Sequence, residues 1–212
     1  MSKNLFAAVL LAFAPMAAHA GLTTISNPWP PAGSSDIESV LFKKVDLANG
    51  GFIAMGAHAY KNSAQLANNG SDTFYAQSGV FAGDGKNYAN WSFDFAWDKG
   101  TCAACKIVLE VDKDPGTGIN YQRLFESTTQ SYAESWNMEM NFMNSAVYDF
   151  DPFMPSSTSF RLSIFDPTAN GGRGGAADLG VAEIAVNVPE PGTMALTGLA
   201  LAGLALARRR KK

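Results

Sequence analysis

The sequence predicts an all-β protein, with one antiparallel β-sandwich or jelly-roll-like domain between two short end segments. Apolar and polar residues alternate with a period of two in several short runs, as in half-buried strands. Most of these runs are bounded by Gly, Pro, Asn or Asp. Few segments have apolar residues at the spacing of a helix. The chain is 11% aromatic and 17% charged, a composition that argues against a disordered chain, a coiled coil and a collagen-like chain.

The first element along the chain is a predicted signal peptide over residues 1–20. A short basic segment precedes an apolar run, Leu5–Ala18, and the segment closes on Ala18-His19-Ala20. Small residues at Ala18 and Ala20 fit the pockets of signal peptidase, so we expect cleavage after Ala20. The alternative is an N-terminal core helix. With cleavage, the mature chain begins at Gly21, outside the cytoplasm.

Predicted strands fill the region 21–188. The strongest alternation is Trp91–Asp98, in which Trp91, Phe93, Phe95 and Trp97 share one face. Strands with one apolar and one polar face favour antiparallel sheets that have one solvated side. Ile37–Leu47 has apolar residues at helix-like spacing but fits a strand equally well. Tyr121–Ser135 is expected to hold at most a turn or two of helix. The other predicted strands are Ile107–Asp112, Met138–Met143, Phe160–Phe165 and Ala182–Val188, with weaker candidates at Gly51–Tyr60 and Asp72–Val80.

Charge divides the chain into the same three parts. The formal net charge is −3, but six of the sixteen Lys and Arg residues lie in the first four or last five positions. Residues 21–188 carry 10 basic and 18 acidic residues, a net of −8. We therefore expect an acidic domain that does not bind nucleic acid.

The C-terminal segment, 189–212, has three parts: Pro189-Glu190-Pro191, an apolar run at Met194–Ala207, and five consecutive cations. Two prolines around one carboxylate continue neither a strand nor a helix, so the chain is expected to be extended and exposed there. As a helix the apolar run would span about 21 Å, against about 30 Å of hydrocarbon, which is short for a permanent anchor. The cations favour the cytoplasmic side of a membrane.

In order, spacing and composition, Val188–Lys212 resembles the PEP-CTERM sorting signal of Gram-negative bacteria. The resemblance implies that exosortase, a membrane-embedded protease or transpeptidase, recognises this segment and cuts near the tripeptide. The implied destination is the cell surface or extracellular matrix, with membrane anchoring before processing. A plain tail anchor leaves the tripeptide unexplained. The sorting residues implied are Pro189, Glu190, Pro191, Arg208, Arg209 and Arg210.

The middle of the chain is also similar to a recurrent type of PEP-CTERM protein. The similarity lies in the order of four motifs, and members of this type are predicted extracellular β-proteins without an assigned activity. It therefore supports the fold and says little about function. The motifs are Asn90–Phe93, Val111–Gly116, Ser135–Glu139 and Ser159–Asp166.

Cys102-Ala103-Ala104-Cys105 lies between two predicted strands in the exported region, where disulfides persist. A structural disulfide that closes a turn is the favoured interpretation. A thioredoxin-like thiol site needs a helix that starts at the first cysteine, and a zinc site needs further Cys or His ligands. Since the mature chain has only His58 in addition to this pair, zinc is disfavoured.

Asp112 and Asp114, spaced by two, are weak candidate ligands for Ca²⁺. The EF-hand template fails, because its sixth and twelfth positions are Thr117 and Arg123. A second acidic pair, Asp149 and Asp151, is a similarly weak candidate for Ca²⁺. The structural alternative is that Asp-Pro and Pro-Gly simply build turns. We expect no other cofactor.

Sequence motifs for catalysis are missing. There is no G-x-S-x-G elbow and no phosphate-binding loop, and a lone His58 is more typical of a structural residue than of a base. Trp29 and Trp136 are aromatic residues that could stack on sugars if exposed, whereas Trp91 and Trp97 are expected in the core. The sequence thus predicts a non-catalytic structural or glycan-binding protein, with extracellular polysaccharide as a candidate partner. The alternatives are a glycan hydrolase with a carboxylate pair and, less favoured, a Cys102/Cys105 thiol oxidoreductase.

Overall fold

The computed structural model describes residues 21–25, 40–61, 64–83, 85–113, 118–144, 150–168 and 177–190. These segments form strands and one helical turn, so the all-β prediction is confirmed. The elements are β1 (Thr23–Thr24), β2 (Leu41–Asp46), β3 (Phe52–Ala59), β4 (Ala67–Asn68), β5 (Thr73–Tyr75), β6 (Trp91–Asp98), β7 (Lys106–Asp112), β8 (Tyr121–Ser127), β9 (Ser131–Trp136), α1 (Asn141–Asn144), β10 (Ser156–Asp166) and β11 (Ala177–Val188).

The strands form two sheets. The five-stranded sheet has the order β1-β2-β3-β6-β9, and the six-stranded sheet has the order β4-β5-β11-β10-β7-β8. All strand pairs are antiparallel except β5 and β11, which run parallel. The expectation of wholly antiparallel sheets is wrong for this pair. No hairpin fixes the relative direction of β5 and β11, because most of the domain separates them along the chain.

The main core lies between the two sheets. On β6, Trp91, Phe93, Phe95 and Trp97 form the predicted apolar face, and each is at most 1% exposed. The ring of Phe93 stacks on Phe160 of the opposite sheet, with centroids 4.3 Å apart. Such ring contacts show that the sheets pack face to face in a sandwich-like arrangement.

The second face of β6 is also buried, which corrects the expected solvated face. Ser92, Asp94 and Ala96 are all buried, although they alternate with the aromatic residues. β6 lies between β3 and β9, and a second small apolar cluster lies on this side of the sheet. Alternation therefore locates the strand correctly without showing that its polar face meets water.

Most predicted strands are present in the structure. The runs Trp91–Asp98, Ile107–Asp112, Phe160–Phe165 and Ala182–Val188 correspond to β6, β7, β10 and β11. Of the weaker candidates, Gly51–Tyr60 contains β3, whereas Asp72–Val80 contains only the short β5. The ambiguous Ile37–Leu47 contains strand β2.

Met138–Met143 is not a strand, and its prediction was wrong. Asn137 ends β9, because its Oδ1 accepts hydrogen bonds from the backbone N–H of Glu139 and of Ala89. The chain then turns and forms α1. Met138 and Met143 both reach the main core from this turn, so the apolar spacing reflects packing rather than a pleated strand.

The turn or two of helix expected in Tyr121–Ser135 is wrong, because this segment forms β8 and β9. A bulge interrupts the β7–β8 ladder between Leu109 and Glu110. It lets two consecutive residues, Leu124 and Phe125, pack against the same core. A bulge thus breaks the period of two that marks a strand in the sequence.

Several predictions fall outside the described residues: the signal peptide with Ala18 and Ala20, Pro191, the apolar run Met194–Ala207, the cations Arg208, Arg209 and Arg210, and Asp114, Asp149 and Trp29. Within the described segments, no helix has the length and hydropathy needed to cross a membrane.

Candidate functional site

The first candidate site is the point where the chain leaves the six-stranded sheet. β11 pairs with β10 up to its last residue, Val188, which lies opposite Ser156. Val188 is buried, and the Asn187 carbonyl accepts a hydrogen bond from the Ala76 N–H at 2.9 Å. The next two residues, Pro189 and Glu190, are exposed and belong to no strand. An ordered sheet thus ends directly at an accessible Pro-Glu pair, as the sequence predicts.

We call the end of the sandwich at which β11 finishes the exit end. The same end holds the start of β10 and, by strand register, the turn between β7 and β8. The first residues of β6 also lie there, since Trp91 packs edge-on against Phe160 near the start of β10.

The second candidate site is a groove of about 460 Å³ on the outer face of the six-stranded sheet. Strands β7, β8, β10 and β11 supply its floor, because their outward residues alternate with the core residues. The lining residues are Val108, Glu110, Arg123, Arg161, Ser163, Phe165, Asp178, Val181 and Glu183.

Arg161 organises this groove. Its Nε donates a hydrogen bond to Glu183 Oε1 at 2.6 Å, and its Nη1 lies 3.6 Å from Glu110 Oε2. The guanidinium also stacks over the ring of Tyr121, 3.9 Å from the centroid. Burial, followed by the charge of Glu183, raises the pKa of Tyr121 to about 12. The groove therefore presents fixed donors and acceptors beside one aromatic ring of its lining, that of Phe165.

His58 has a partner that the sequence did not reveal. Its Nδ1 lies 2.8 Å from Asp94 Oδ2, and both side chains are buried on the outward-facing side of the five-stranded sheet. Ser92 is the cross-strand neighbour of His58 and is buried as well. A buried Ser, His and Asp on adjacent strands offer no surface to a substrate, so this arrangement fits a structural polar cluster. The only signal in the sequence was a carboxylate at the centre of the strongest strand.

The two cysteines lie as the disulfide prediction requires. The Cys102 and Cys105 sulfur atoms are at bonding distance, and their Cα atoms are 5.4 Å apart. The pair closes the turn between β6 and β7, and strand β7 follows at Lys106. A thioredoxin-like site needs a helix beginning at the first cysteine, and the described residues 85–113 contain none.

Asp112 forms part of the turn between β7 and β8. Its Oδ1 accepts a hydrogen bond from the Asn120 N–H at 2.9 Å, and its side chain is buried. In the part of the chain that the structure describes, no three His, Cys, Asp or Glu side chains gather in a way that could hold a metal ion. The proposed Ca²⁺ site at Asp112 and Asp114 therefore stays a prediction.

Comparison with known protein families matches residues 187–211 to the PEP-CTERM protein-sorting motif. The match begins at Asn187, so it overlaps the last two residues of β11 and includes the exposed Pro189 and Glu190. The chain carries a PEP-CTERM motif. This motif implies sorting by exosortase to the cell surface or extracellular space of a Gram-negative bacterium. No curated protein and no solved structure matches the chain.

The PEP-CTERM motif assigns a role to the first candidate site and leaves the second without one. Its recognition elements begin where the folded sheet ends, with no intervening linker. The groove around Arg161 lies on a different face, and the sequence did not single out any of its polar residues as a site. Glu110, Arg161 and Glu183 come from three strands, and only the strand register brings them together.

Proposed function

We propose that this PEP-CTERM protein is a non-catalytic component of the cell surface or exopolysaccharide matrix whose groove around Arg161 binds glycan. The observation that carries the proposal is the Arg161 network, in which a guanidinium is held between two carboxylates and over an aromatic ring. Sugar hydroxyls are both donors and acceptors, so a surface with fixed donors and acceptors can pair with them.

The fixed orientation of Arg161 in the groove also supports this role. The ion pairs hold Arg161 in one orientation, so little side-chain entropy remains to be lost when a ligand binds. Phe165, which lines the groove, supplies apolar surface for the face of a sugar ring.

The leading alternative is a glycan hydrolase, because Glu110 and Glu183 converge in this groove. In a hydrolase the two carboxylates face the scissile bond from either side. Here both face Arg161, which lies between them. Their arrangement thus supports binding over cleavage.

Affinity electrophoresis of the full-length protein through gels that contain a soluble bacterial exopolysaccharide tests the proposal. We expect retarded migration of the wild type, with Arg161→Gln weakening apparent affinity by about tenfold, because a hydrogen bond to a charged group contributes about 1.5–3 kcal/mol. Lys44→Gln is the matched control, because Lys44 pairs with Asp46 on the other sheet and is far from the groove.

Two outcomes would contradict the proposal. Equal retardation of the Arg161 and Lys44 variants would remove the groove as the binding site. Release of reducing ends from the polysaccharide by the wild type, abolished in Glu183→Gln, would favour the hydrolase instead.

A further inference from the structure

Exposed apolar side chains are concentrated at the exit end of the sandwich. Among the described residues, seven large apolar side chains are exposed, and four of them surround the point where β11 ends. These four are Tyr75 (45% exposed), Ile119 (66%), Phe153 (60%) and Met154 (57%), which we call the exit rim. Phe142, Leu179 and Val181 are the other three.

Strand register places the members of the exit rim. Tyr75 lies opposite Asn187, one residue before the end of β11. Met154 and Phe153 lie two and three residues before β10, whose first residue pairs with Val188. Ile119 lies in the turn between β7 and β8, which closes the same end of the sheet. Leu179, in contrast, lies nine residues back along β11, about 30 Å from Val188.

An aromatic and lysine cluster lies beside the exit rim. The ring of Tyr60 contacts Phe81 and Tyr88 edge-on, with centroids 5.6 and 5.5 Å away. The ammonium groups of Lys61 and Lys86 lie over the rings of Tyr60 and Tyr88, at 5.2 and 5.1 Å. The Gly79 N–H donates to the Pro152 carbonyl and so joins this loop to the turn that carries Phe153.

The composition of this surface fits a lipid interface. Tyr side chains at the headgroup level and Lys side chains that extend toward phosphates are typical of residues at membrane surfaces. Bulky apolar tips such as Phe153, Met154 and Ile119 reach the boundary of the acyl chains in interfacial proteins. Clustered exposed apolar side chains are typical of a surface that contacts a membrane or a partner rather than water alone.

Chain continuity identifies the occupant. Only five residues separate Val188 from Met194, the first residue of the apolar run. Six peptide units span about 20 Å at most when fully extended. A membrane that holds Met194–Ala207 therefore begins within about 20 Å of Val188, whereas Leu179 lies about 30 Å farther back along β11.

We propose that the exit rim and its aromatic and lysine cluster form a membrane-seating face, which lies on the lipid bilayer while Met194–Ala207 is still attached. The face holds the domain upright, with β11 directed toward the membrane. The groove around Arg161 then faces sideways, because it lies on the outer face of the sheet rather than at its end. This inference is independent of the glycan proposal, since the two surfaces share no residue.

Site-specific photocrosslinking in the full-length protein tests the proposal. p-Benzoylphenylalanine replaces Phe153 in one variant and Leu179 in the matched control, and each protein is reconstituted into phosphatidylcholine vesicles. After irradiation, intact mass spectrometry measures protein–lipid adducts. We expect about tenfold more lipid adduct at position 153 than at position 179, because only the seated face contacts acyl chains. Equal lipid yields at the two positions, or a protein–protein adduct as the main product at position 153, would overturn the proposal.

A second measurement guards against a folding defect in the crosslinker variant. Full-length Met154→Ser is compared with Leu179→Ser in partitioning into the same vesicles. Both variants retain Met194–Ala207, so this segment contributes equally to their affinity for the vesicles. We expect Met154→Ser to partition about tenfold more weakly than Leu179→Ser, because only the side chain at position 154 enters the lipid. Equal partition coefficients would refute a membrane-seating face.

Discussion

Lys99 links three turns at the end of the sandwich opposite the exit end. Its side chain is buried, and Nζ donates to the carbonyl oxygens of Ala103 and Thr128 at 2.9 and 2.8 Å. Its own carbonyl accepts from Asn49 Nδ2 at 2.9 Å. Burying an ammonium group costs free energy unless its N–H groups donate hydrogen bonds. Here two of them donate to backbone carbonyls in the turns before β7 and β9.

We predict that Lys99→Met lowers the free energy of unfolding by about 1–3 kcal/mol, because two carbonyl groups lose a donor in a closed environment. Lys106→Met is the control, since Lys106 makes an exposed ion pair with Glu126, and such surface pairs contribute little to stability. Urea denaturation under non-reducing conditions measures both variants. Similar losses in the two variants would show that Lys99 does not hold the turns together.

Single polar residues of this kind were hard to find in the sequence. Lys99 and Asn137 each bind backbone groups that are distant in sequence, and nothing in their neighbourhood marks such a role. Asn137 Nδ2 donates to the carbonyls of Ala89 and Trp91, and so fixes the end of β9 against the start of β6. In contrast, the Cys102–Cys105 turn was predictable because both partners lie within one short segment.

At the scale of elements, alternation predicted the central strands well because packing dictates their sequence. β6 and β10 have their aromatic and aliphatic faces on the core, and the pattern shows this directly. It failed where the backbone is irregular: the bulged β8 was expected to hold a turn of helix, and the Asn137 turn looked like a strand. The short strands β1, β4 and β5 are defined by their neighbours rather than by their own residues, so a single sequence carries little signal for them.

Close strand packing gives an element-scale prediction at Gly56 in β3. A Cβ atom there would lie 2.5 Å from the Leu41 carbonyl oxygen, a backbone atom of β2. We expect Gly56→Ala to lower the free energy of unfolding by about 1–3 kcal/mol, because β2 must move away from β3.

Gly180→Ala in β11 is the matched control for Gly56→Ala. Its nearest contact would be Leu47 Cδ2 at 2.7 Å, the end of a flexible side chain that can rotate away. The shift of the urea midpoint should therefore be clearly larger for Gly56→Ala than for Gly180→Ala. The reverse order would mean that the spacing between β2 and β3 is not limiting.

At the scale of the whole molecule, the described sheets lie between the two predicted processing points. Leu22 donates its backbone N–H to Gly70, two residues after the expected signal peptidase site, and β11 ends one residue before Pro189. Removal of both ends would leave the acidic domain of residues 21–188, with its net charge of −8. That charge favours solubility and disfavours anionic surfaces, so apolar contacts at the exit rim are the better explanation for seating on a membrane.

The sheet also sets a limit on where exosortase can cut. Residues of β11 up to Val188 are hydrogen-bonded within the six-stranded sheet, and a protease needs an extended, accessible segment. Cleavage N-terminal to Val188 would require β11 to leave the sheet, whereas Pro189 and Glu190 are already exposed. We therefore predict that the mature C-terminus lies after Val188 and before the apolar run.

Intact mass spectrometry of the protein from cells with and without exosortase measures this directly. We expect the protein from exosortase-containing cells to keep all of β11 and to lose Met194–Lys212, and the protein from cells without the enzyme to retain the tail. In both strains the N-terminus should be Gly21, which provides an internal control for export. A shared, uncut C-terminus would mean that the tail is an ordinary anchor. A C-terminus inside β11 would mean that the strand unfolds before cleavage, since the paired backbone of β11 cannot enter a protease site while it remains in the sheet.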